Sequence, residues 1–514
     1  MKGFFWLSGD FCDWPLAVIE EIKKLAPAAS FSGMVNAPPD IVDRVKSWHS
    51  PPIDPLFDID KLERQWLARP FEPGRLSTYE RRLGPDGINR IIIADRMVGD
   101  GFVTGGVIAE SPLTRICRDH EMRMRYIVGL LDFVFDALKQ TKPDYVFAIG
   151  VAGAVALSLA TACEHLGIPL LRLTPTRIGK RYMIDDSLNG LAAPAERVFR
   201  QARENPSLVS DHIEMARQII ADARSSPERP GYSQVSWRRA QSLLAPIHLA
   251  ALVWRTITRR PPENLSYPYP FAQLCWELKR YAQMRWVSRS SIFKQRAALN
   301  GRRFAFFPLH VDPEASTMVM APMLTNQHAV IEGLAKSLPA ECLLAVKEHL
   351  PMVGRRPPGF YRRLVVIPKV VLISPLEDSF DLIGDAELTC VITGTAGWEA
   401  LLRRRPVLCL GPAFYHMMGE GYVHCPEISR LPQAIQEALS TPPVDDDLLA
   451  VYLASFLTVS FEFPTELLWG QITAEIVEAN RHIATTISRQ IIALIDEPNL
   501  VQPRNPAAVT SART

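Results

Sequence analysis

The stretch Leu388–Gly411, LTCVITGTAGWEALLRRRPVLCLG, leaves the chain few choices of fold. Leu388–Ile392 is an apolar run of strand length, and Thr393-Gly394-Thr395-Ala396-Gly397 is a turn of small residues. Trp398–Arg405 has helical spacing, with Ala400, Leu401 and Leu402 able to face a core. Pro406 stops that helix, and Val407–Leu410 starts another strand. Strand, turn, helix and strand in this order make a unit of parallel sheet. The turn stands where open α/β sheets bind ligands, beyond the carboxyl ends of the strands.

The residue types of the turn define what it can hold. Gly394 and Gly397 let a ligand approach the backbone closely. The amides of Thr395, Ala396 and Gly397 open a helix, lack partners within it, and sit at the positive end of its dipole, an arrangement suited to phosphate. Thr393 and Thr395 add hydroxyls, and Glu399, one turn on, can accept from a sugar hydroxyl. An ordinary βα turn with Thr395 as its N-cap explains the same residues. The turn is neither a Walker loop nor a GxGxxG fingerprint.

At 514 residues the chain is too long for one core, so two or three domains are expected. A net charge of +2 singles out no class of partner. The eight cysteines contain no CxxC pair, and several lie inside apolar runs, so they read as reduced and buried. The apolar run in MKGFFWLSGDF is too short for a signal peptide. Tyr145–Cys163 has no charge and could span a bilayer by length. Its strand-like start, Gly150 and Gly153, and an Ala-rich helix after them favour a buried strand–helix unit. A cytoplasmic protein, at most peripheral at the inner face of the membrane, is the expectation.

Along the chain, Gly3–Leu7 reads as a strand, Pro15–Leu25 as a helix, and Ser30–Val35 as a second strand. Residues 36–90 have a weak pattern and read as loops and short helices. Asn89–Ala94 reads as a strand before a Gly-rich loop reaching Gly106. Glu121–Gln140 is helical, followed by strand 144–149, helix 151–166 and strand 168–173, a Rossmann-like alternation. Arg177, Lys180 and Arg181 follow that strand and either reach a cleft or are solvated. From Trp237 to Arg303 there are thirteen Lys or Arg against Glu263 and Glu277, with Trp237, Trp254, Trp276 and Trp286 interleaved. Such a basic helical insertion suits an anionic membrane surface through residues 237–303, an acidic polysaccharide, or plain solvent. No nucleic-acid motif accompanies it.

A second α/β series opens with Arg303–Leu309. Leu324–Leu338 reads as its first helix, and Leu343–Val346 and Val370–Ile373 as strands. Ser379–Asp385, Leu431–Leu439, 448–457 and 466–495 read as helices. Each strand end carries polar residues: His310, Asp312 and Glu314; Lys347, Glu348 and His349; Ser374; Thr393 to Thr395. Consecutive parallel strands place such ends on one rim, where cations and hydroxyls would meet a phosphate.

FFPLHVDPEAS, KEH, LISP and ITGTAGWEALLRRRPVLCLG, in this order and spacing, resemble the capsule polysaccharide synthesis family, which includes transferases that add Kdo, a sugar acid, from a CMP-activated donor. The resemblance covers about residues 300–425 well and the N-terminal half in outline. It implies an α/β, GT-B-like glycosyltransferase: two Rossmann-like domains with a helical insertion and C-terminal helices that pack back on the first domain. The implied divisions are an N-terminal acceptor domain at 1–230, an insertion at 231–300, a nucleotide-sugar domain at 301–440, helices at 441–496 and a tail at 497–514. Related CMP-sugar transferases hold the donor phosphate with a His-Pro motif and a later Ser/Thr motif. His349 and Thr393/Thr395 match these by position, although Leu350 stands where proline is expected.

For such a reaction the leaving phosphate needs His349, Lys347 and the amides at Thr395–Gly397, with His310, Glu314, Ser374 and Glu399 completing the donor site. A carboxylate near the anomeric carbon is also needed. Asp10 and Asp100 are the candidates, both expected in the N-terminal domain. No cofactor or metal is called for; Asp58–Asp60 and Asp445–Asp447 read as solvated or capping pairs. The partners are a nucleotide sugar, CMP-linked by preference, and a polysaccharide or glycolipid acceptor. A UDP-sugar 2-epimerase, a polyol-phosphate transferase and a non-catalytic polysaccharide-binding or assembly protein are the alternatives.

Overall fold

The computed structural model describes residues 1–37, 39–48, 50–102, 105–150, 152–187, 191–225, 250, 253–254, 264–312, 314–464, 466–469 and 473–496. The chain separates into two compact units. The first comprises Met1–Ile91, His120–Val198 and Phe456–Thr514, and the second Ile92–Asp119 and Phe199–Ser455.

The first unit is built on seven strands: β1 (Lys2–Ser8), β2 (Ser30–Asn36), β3 (Ile53–Asp58), β4 (Tyr145–Ala148), β5 (Leu170–Pro175), β6 (Arg181–Asp185) and β13 (Phe461–Glu462). Their order is β13-β6-β5-β4-β1-β2-β3. The five from β5 to β3 are parallel, and β6 and β13 add an antiparallel edge. Phe5 and Leu7 of β1 point into one core with the helix Asp13–Leu25 and the C-terminal helix Arg481–Asp496. Ser488 Oγ of that last helix donates to the Val18 carbonyl at 3.1 Å, tying the end of the chain to its first helix.

The second unit holds β7 (Phe304–Pro308), β8 (Leu343–Lys347), β9 (Val370–Ile373), β10 (Leu388–Val391), β11 (Val407–Cys409) and β12 (Tyr422–His424). All are parallel, in the order β12-β11-β10-β7-β8-β9. Every residue of β8 and β10 is buried, as expected for strands covered on both faces. Both sheets are therefore Rossmann-like, and each reverses its strand order once, at β1/β4 and at β7/β10.

Several sequence expectations change. Asn89–Ala94 is not a strand; the helix Gly87–Ile93 occupies it. Ile88, Ile91 and Ile92 are all buried, and their spacing is that of one helical face. The β-branched run had suggested strand, and tertiary packing overrode that propensity. The weakly patterned region 36–90 contains β3, whose residues are half-exposed and interrupted by Pro55. Arg181 is not solvated: it opens β6, and its guanidinium donates to Ser460 Oγ (2.9 Å) and the Ser460 carbonyl (2.7 Å). The stretch 466–495 is three helices, Glu466–Trp469, Ala474–Ala479 and Arg481–Asp496. Tyr145–Cys163 is β4 followed by the helix Ala154–Leu166, and among the described residues no helix is long and apolar enough to cross a membrane. Most of the basic stretch before Asn264 lies outside the described residues. Beyond it, Pro270–Arg289 is a helix whose Trp286 stacks on Tyr361.

Candidate functional site

The carboxyl ends of β7, β8 and β10 bring most of the sequence candidates of the second unit onto one rim. β7 and β10 are adjacent, so the loops beyond them meet at the switch in strand order. His310, two residues past β7, is buried. Its Nε2 accepts from the Thr393 amide, just past β10, at 3.3 Å. Burial, with His349 and Arg356 nearby, pushes its pKa down to about 3, so the ring is neutral. A Cβ at Gly394 would stand 3.0 Å from that nitrogen, which is why glycine fits there. His310 thus braces two loops and supplies no positive charge.

β8 delivers Lys347, Glu348 and His349 in succession, and pleating sends them different ways. Glu348 is fully buried and bound to Arg356, which donates from Nε at 2.6 Å and from Nη2 at 2.8 Å. Tyr361 also donates to Glu348, at 2.8 Å. Arg356 donates further to the Gly105 carbonyl (2.8 Å), the His310 carbonyl (2.7 Å) and Asp312 (3.5 Å). Those bonds use all five of its N–H groups. Asp312 accepts in addition from Thr317 Oγ1 at 2.6 Å and from Gln327. Gly105 has room for no side chain, since a Cβ there would stand 2.1 Å from Asp312. A buried arginine between two carboxylates therefore locks the ends of β7 and β8 to the Gly-rich loop.

Lys347 has a different environment. It is 7% exposed, and among the described residues its amino group makes no hydrogen bond or ion pair. Burial lowers its pKa, opposed by Glu348, Asp378 and Glu399. Glu399 lies within its field: burial pushes that carboxyl up to about 7, against the pull of Arg403 and Lys347. His349 is half-buried, and burial holds it down at about 4. It caps the short turn Leu350–Met352, so the Leu350-Pro351 order still places an imidazole at the end of β8.

The helix Thr395–Leu402 begins at Gly394, which has no side chain to cap it. Its first internal bond is from the Gly397 amide to the Gly394 carbonyl, and among the described residues the Thr395 and Ala396 amides have no partner. Thr395 is thus the first helical residue and not the N-cap. Gly397 is required by packing, because a Cβ would stand 2.2 Å from the Tyr415 hydroxyl. The Thr393 hydroxyl donates to the Ser316 carbonyl at 2.9 Å, so it serves the loop. Ser374 accepts from the Leu376 amide at 3.3 Å in its own turn. Glu314 is exposed at the start of Ala315–Met318 and accepts from Ser316 at 3.3 Å.

The carboxylate candidates separate. Asp100 belongs to the second compact unit and not the first, and Arg118 donates to it at 2.9 Å. Asp10 lies in the turn Gly9–Phe11 of the first unit, and its side chain falls outside the described residues. Asp445 caps the helix Asp446–Val459 through the Asp447 and Leu448 amides, as a capping reading expects. The residue that sequence reasoning missed is Arg356. In GRRPPG no spacing separates a buried arginine from a solvated neighbour.

Residues 266–440 match the family model described as capsule polysaccharide biosynthesis protein. The resemblance carried by FFPLHVDPEAS, KEH, LISP and ITGTAGWEALL is borne out by this match. No curated protein matches the chain by sequence. Among solved structures the chain is similar to Thermosulfurimonas dismutans KpsC, beta Kdo 2,7 transferase, at 16% identity and TM-score 0.30, over 70% of this chain and 88% of that one. The beta Kdo 2,4 transferase of the same protein gives 12% and 0.31, over 61% and 79%. The UDP-GlcNAc 2-epimerase from Neisseria meningitidis gives 13% and 0.27, over 89% and 98%.

Proposed function

We propose that the chain is a glycosyltransferase of capsular or surface polysaccharide biosynthesis that takes its sugar from a nucleoside-monophosphate donor, of the CMP-Kdo kind, and passes it to a glycan or glycolipid. The observation that supports the donor class is the charge balance of the second rim. Arg356 is spent on Glu348 and Asp312, and His310 and His349 are neutral at pH 7. Lys347 is the buried cation there without a bonded carboxylate among the described residues. One such charge on the rim that also carries the start of the helix Thr395–Leu402 suits the single charge of a phosphodiester. A diphosphate would bring twice the charge to the same groups.

In this reading Lys347 and the Thr395 and Ala396 amides stabilise the leaving phosphate. His349 donates a hydrogen bond, and a bound anion raises its pKa toward a protonated, donating form. Glu399, poised near neutrality, holds a sugar hydroxyl. Asp10 and Asp100 are the carboxylates for the acceptor proton or the anomeric carbon.

The test is release of CMP from CMP-Kdo by the full chain, with and without a glycan acceptor. Acceptor-dependent release that persists in EDTA and collapses in Lys347→Met is expected. Asp10→Asn or Asp100→Asn should abolish release while CMP still binds. Acceptor-independent turnover of a UDP-sugar would replace the reading with an epimerase.

A further inference from the structure

Two arginines of the second unit share one tryptophan. Trp276 and Arg280 lie one turn apart on the helix Pro270–Arg289, and the Arg280 guanidinium carbon is 5.6 Å from the indole centroid. The loop beyond His349 brings Arg355 to the same ring, at 5.8 Å. The indole is fixed, because its Nε1 donates to the Val107 carbonyl at 2.9 Å. The Val107 amide in turn donates to the Arg355 carbonyl at 2.8 Å. Loop and helix lie in close contact: a Cβ at Gly354 would stand 2.7 Å from the Arg280 carbonyl, and Gln283 donates to the Arg356 carbonyl at 2.9 Å.

The charges here do not balance. Arg96, exposed on the Gly-rich loop, adds its field to that of Arg280 on Arg355. Against these three stands Glu277, 3.6 Å from Arg280. The Nε atoms of Arg280 and Arg355 are buried without a hydrogen-bond partner, and Arg355 makes no ion pair among the described residues. Burial and the neighbouring arginines press Arg355 down to about 10. Desolvated, like-charged guanidiniums cost stability unless an anion completes them.

We propose that Arg96, Arg280 and Arg355 form an anion subsite, floored by Trp276, that receives a carboxylate or phosphate of the glycan acceptor. The planar guanidinium fork matches both oxyanions. Arg355 directly precedes Arg356, which braces the donor rim, so the subsite and that rim are held by one loop. The word acceptor rests on the transferase reading; the binding of an anionic glycan does not.

The experiment is calorimetric titration of the full chain with hexagalacturonate, a phosphorylated maltoheptaose, neutral maltohexaose, phosphatidylglycerol vesicles and CMP. Wild type should bind one or both anionic oligosaccharides and not the neutral one, and the arm that binds identifies the oxyanion. Arg355→Gln and the exposed Arg96→Gln should each weaken that binding at least tenfold, with CMP affinity unchanged. Unchanged oligosaccharide binding in both variants, or none by wild type, overturns the proposal. So does Arg355-dependent binding of the vesicles in place of the oligosaccharides. If CMP fails to bind but the glycan still binds through Arg355, the subsite stands and the donor reading falls.

Discussion

The two sheets repeat one parallel strand order, β3-β2-β1-β4-β5 in the first unit and β9-β8-β7-β10-β11 in the second, yet their crevice loops differ in kind. Beyond β1 and β4 the loops turn on glycines with positive φ, Gly9, Gly150 and Gly153. Beyond β7, β8 and β10 they carry His310, Asp312, Lys347, Glu348 and His349, nearly all buried and mostly bonded to one another. The first unit keeps its buried ion pair, Arg172 with Asp185, on β5 and the antiparallel β6. Strand order therefore places a crevice in both units, while the side chains at the strand ends decide which crevice is built for charge.

The largest effect should come from the central arginine. Arg356→Met leaves Glu348 and Asp312 buried without a cation, and the second unit should lose about 3–5 kcal/mol in urea unfolding. Arg172→Met should cost less, because Asp185 keeps bonds from the Ser187 amide (2.9 Å) and hydroxyl (2.8 Å). Equal losses would mean that the two buried networks are equivalent after all.

Glycines offer a second contrast. Gly397→Ala drives a methyl into the Tyr415 hydroxyl and should destabilise by about 1–3 kcal/mol. Gly74→Ala, in the helix Pro73–Leu83 of the first unit, meets nothing within 4 Å. It should stabilise by about 0.5–1 kcal/mol. Thermal melts of the two variants should therefore move in opposite directions.

Titration sharpens the comparison. Glu399 is raised to about 7 from its ordinary 4.5, so the folded state holds a proton that the unfolded state releases. Its stabilising contribution is complete below pH 4.5 and is lost as pH rises through 7. Glu399→Gln should gain melting temperature relative to wild type over that window. His349 has the opposite sign: lowered to about 4, it favours the fold above pH 6.5, and this is lost as pH falls through 4. A flat difference between Glu399→Gln and wild type from pH 4.5 to 8 would mean that the fold does not hold Glu399 protonated. The smallest stability effect is expected at Asp100, whose pair with Arg118 is half-exposed. Asp100→Asn should cost about 0–1 kcal/mol in unfolding, so any large loss of transfer would be chemical.

Much of the second rim was legible because its polar residues follow short apolar runs, and parallel pairing puts such ends side by side. Lys347, His349 and Thr393 to Gly397 fell together on that logic. What the sequence hid was burial. His310 read as part of the donor site, and the fold encloses it as a neutral brace between two loops. Glu348 read as one more polar strand end on the rim and Arg356 drew no reading, and β8 and the loop beyond it turn both inward. In the first unit, β6 was missed because RYMID follows basic loop residues, and Gly87–Ile93 was misread because three consecutive isoleucines mimic a strand.

The central claim is that Lys347, a buried cation without a bonded carboxylate among the described residues, serves one phosphate on the second rim. The direct measurement is thermal stabilisation of wild type and Lys347→Met by CMP, CDP, UDP and GDP, each at the same concentration. The account predicts a shift with CMP that exceeds the others and vanishes in Lys347→Met, while the ligand-free variant melts at or above wild type because a buried unpaired charge is gone. A shift largest with UDP, or a CMP shift that survives in Lys347→Met, would contradict it.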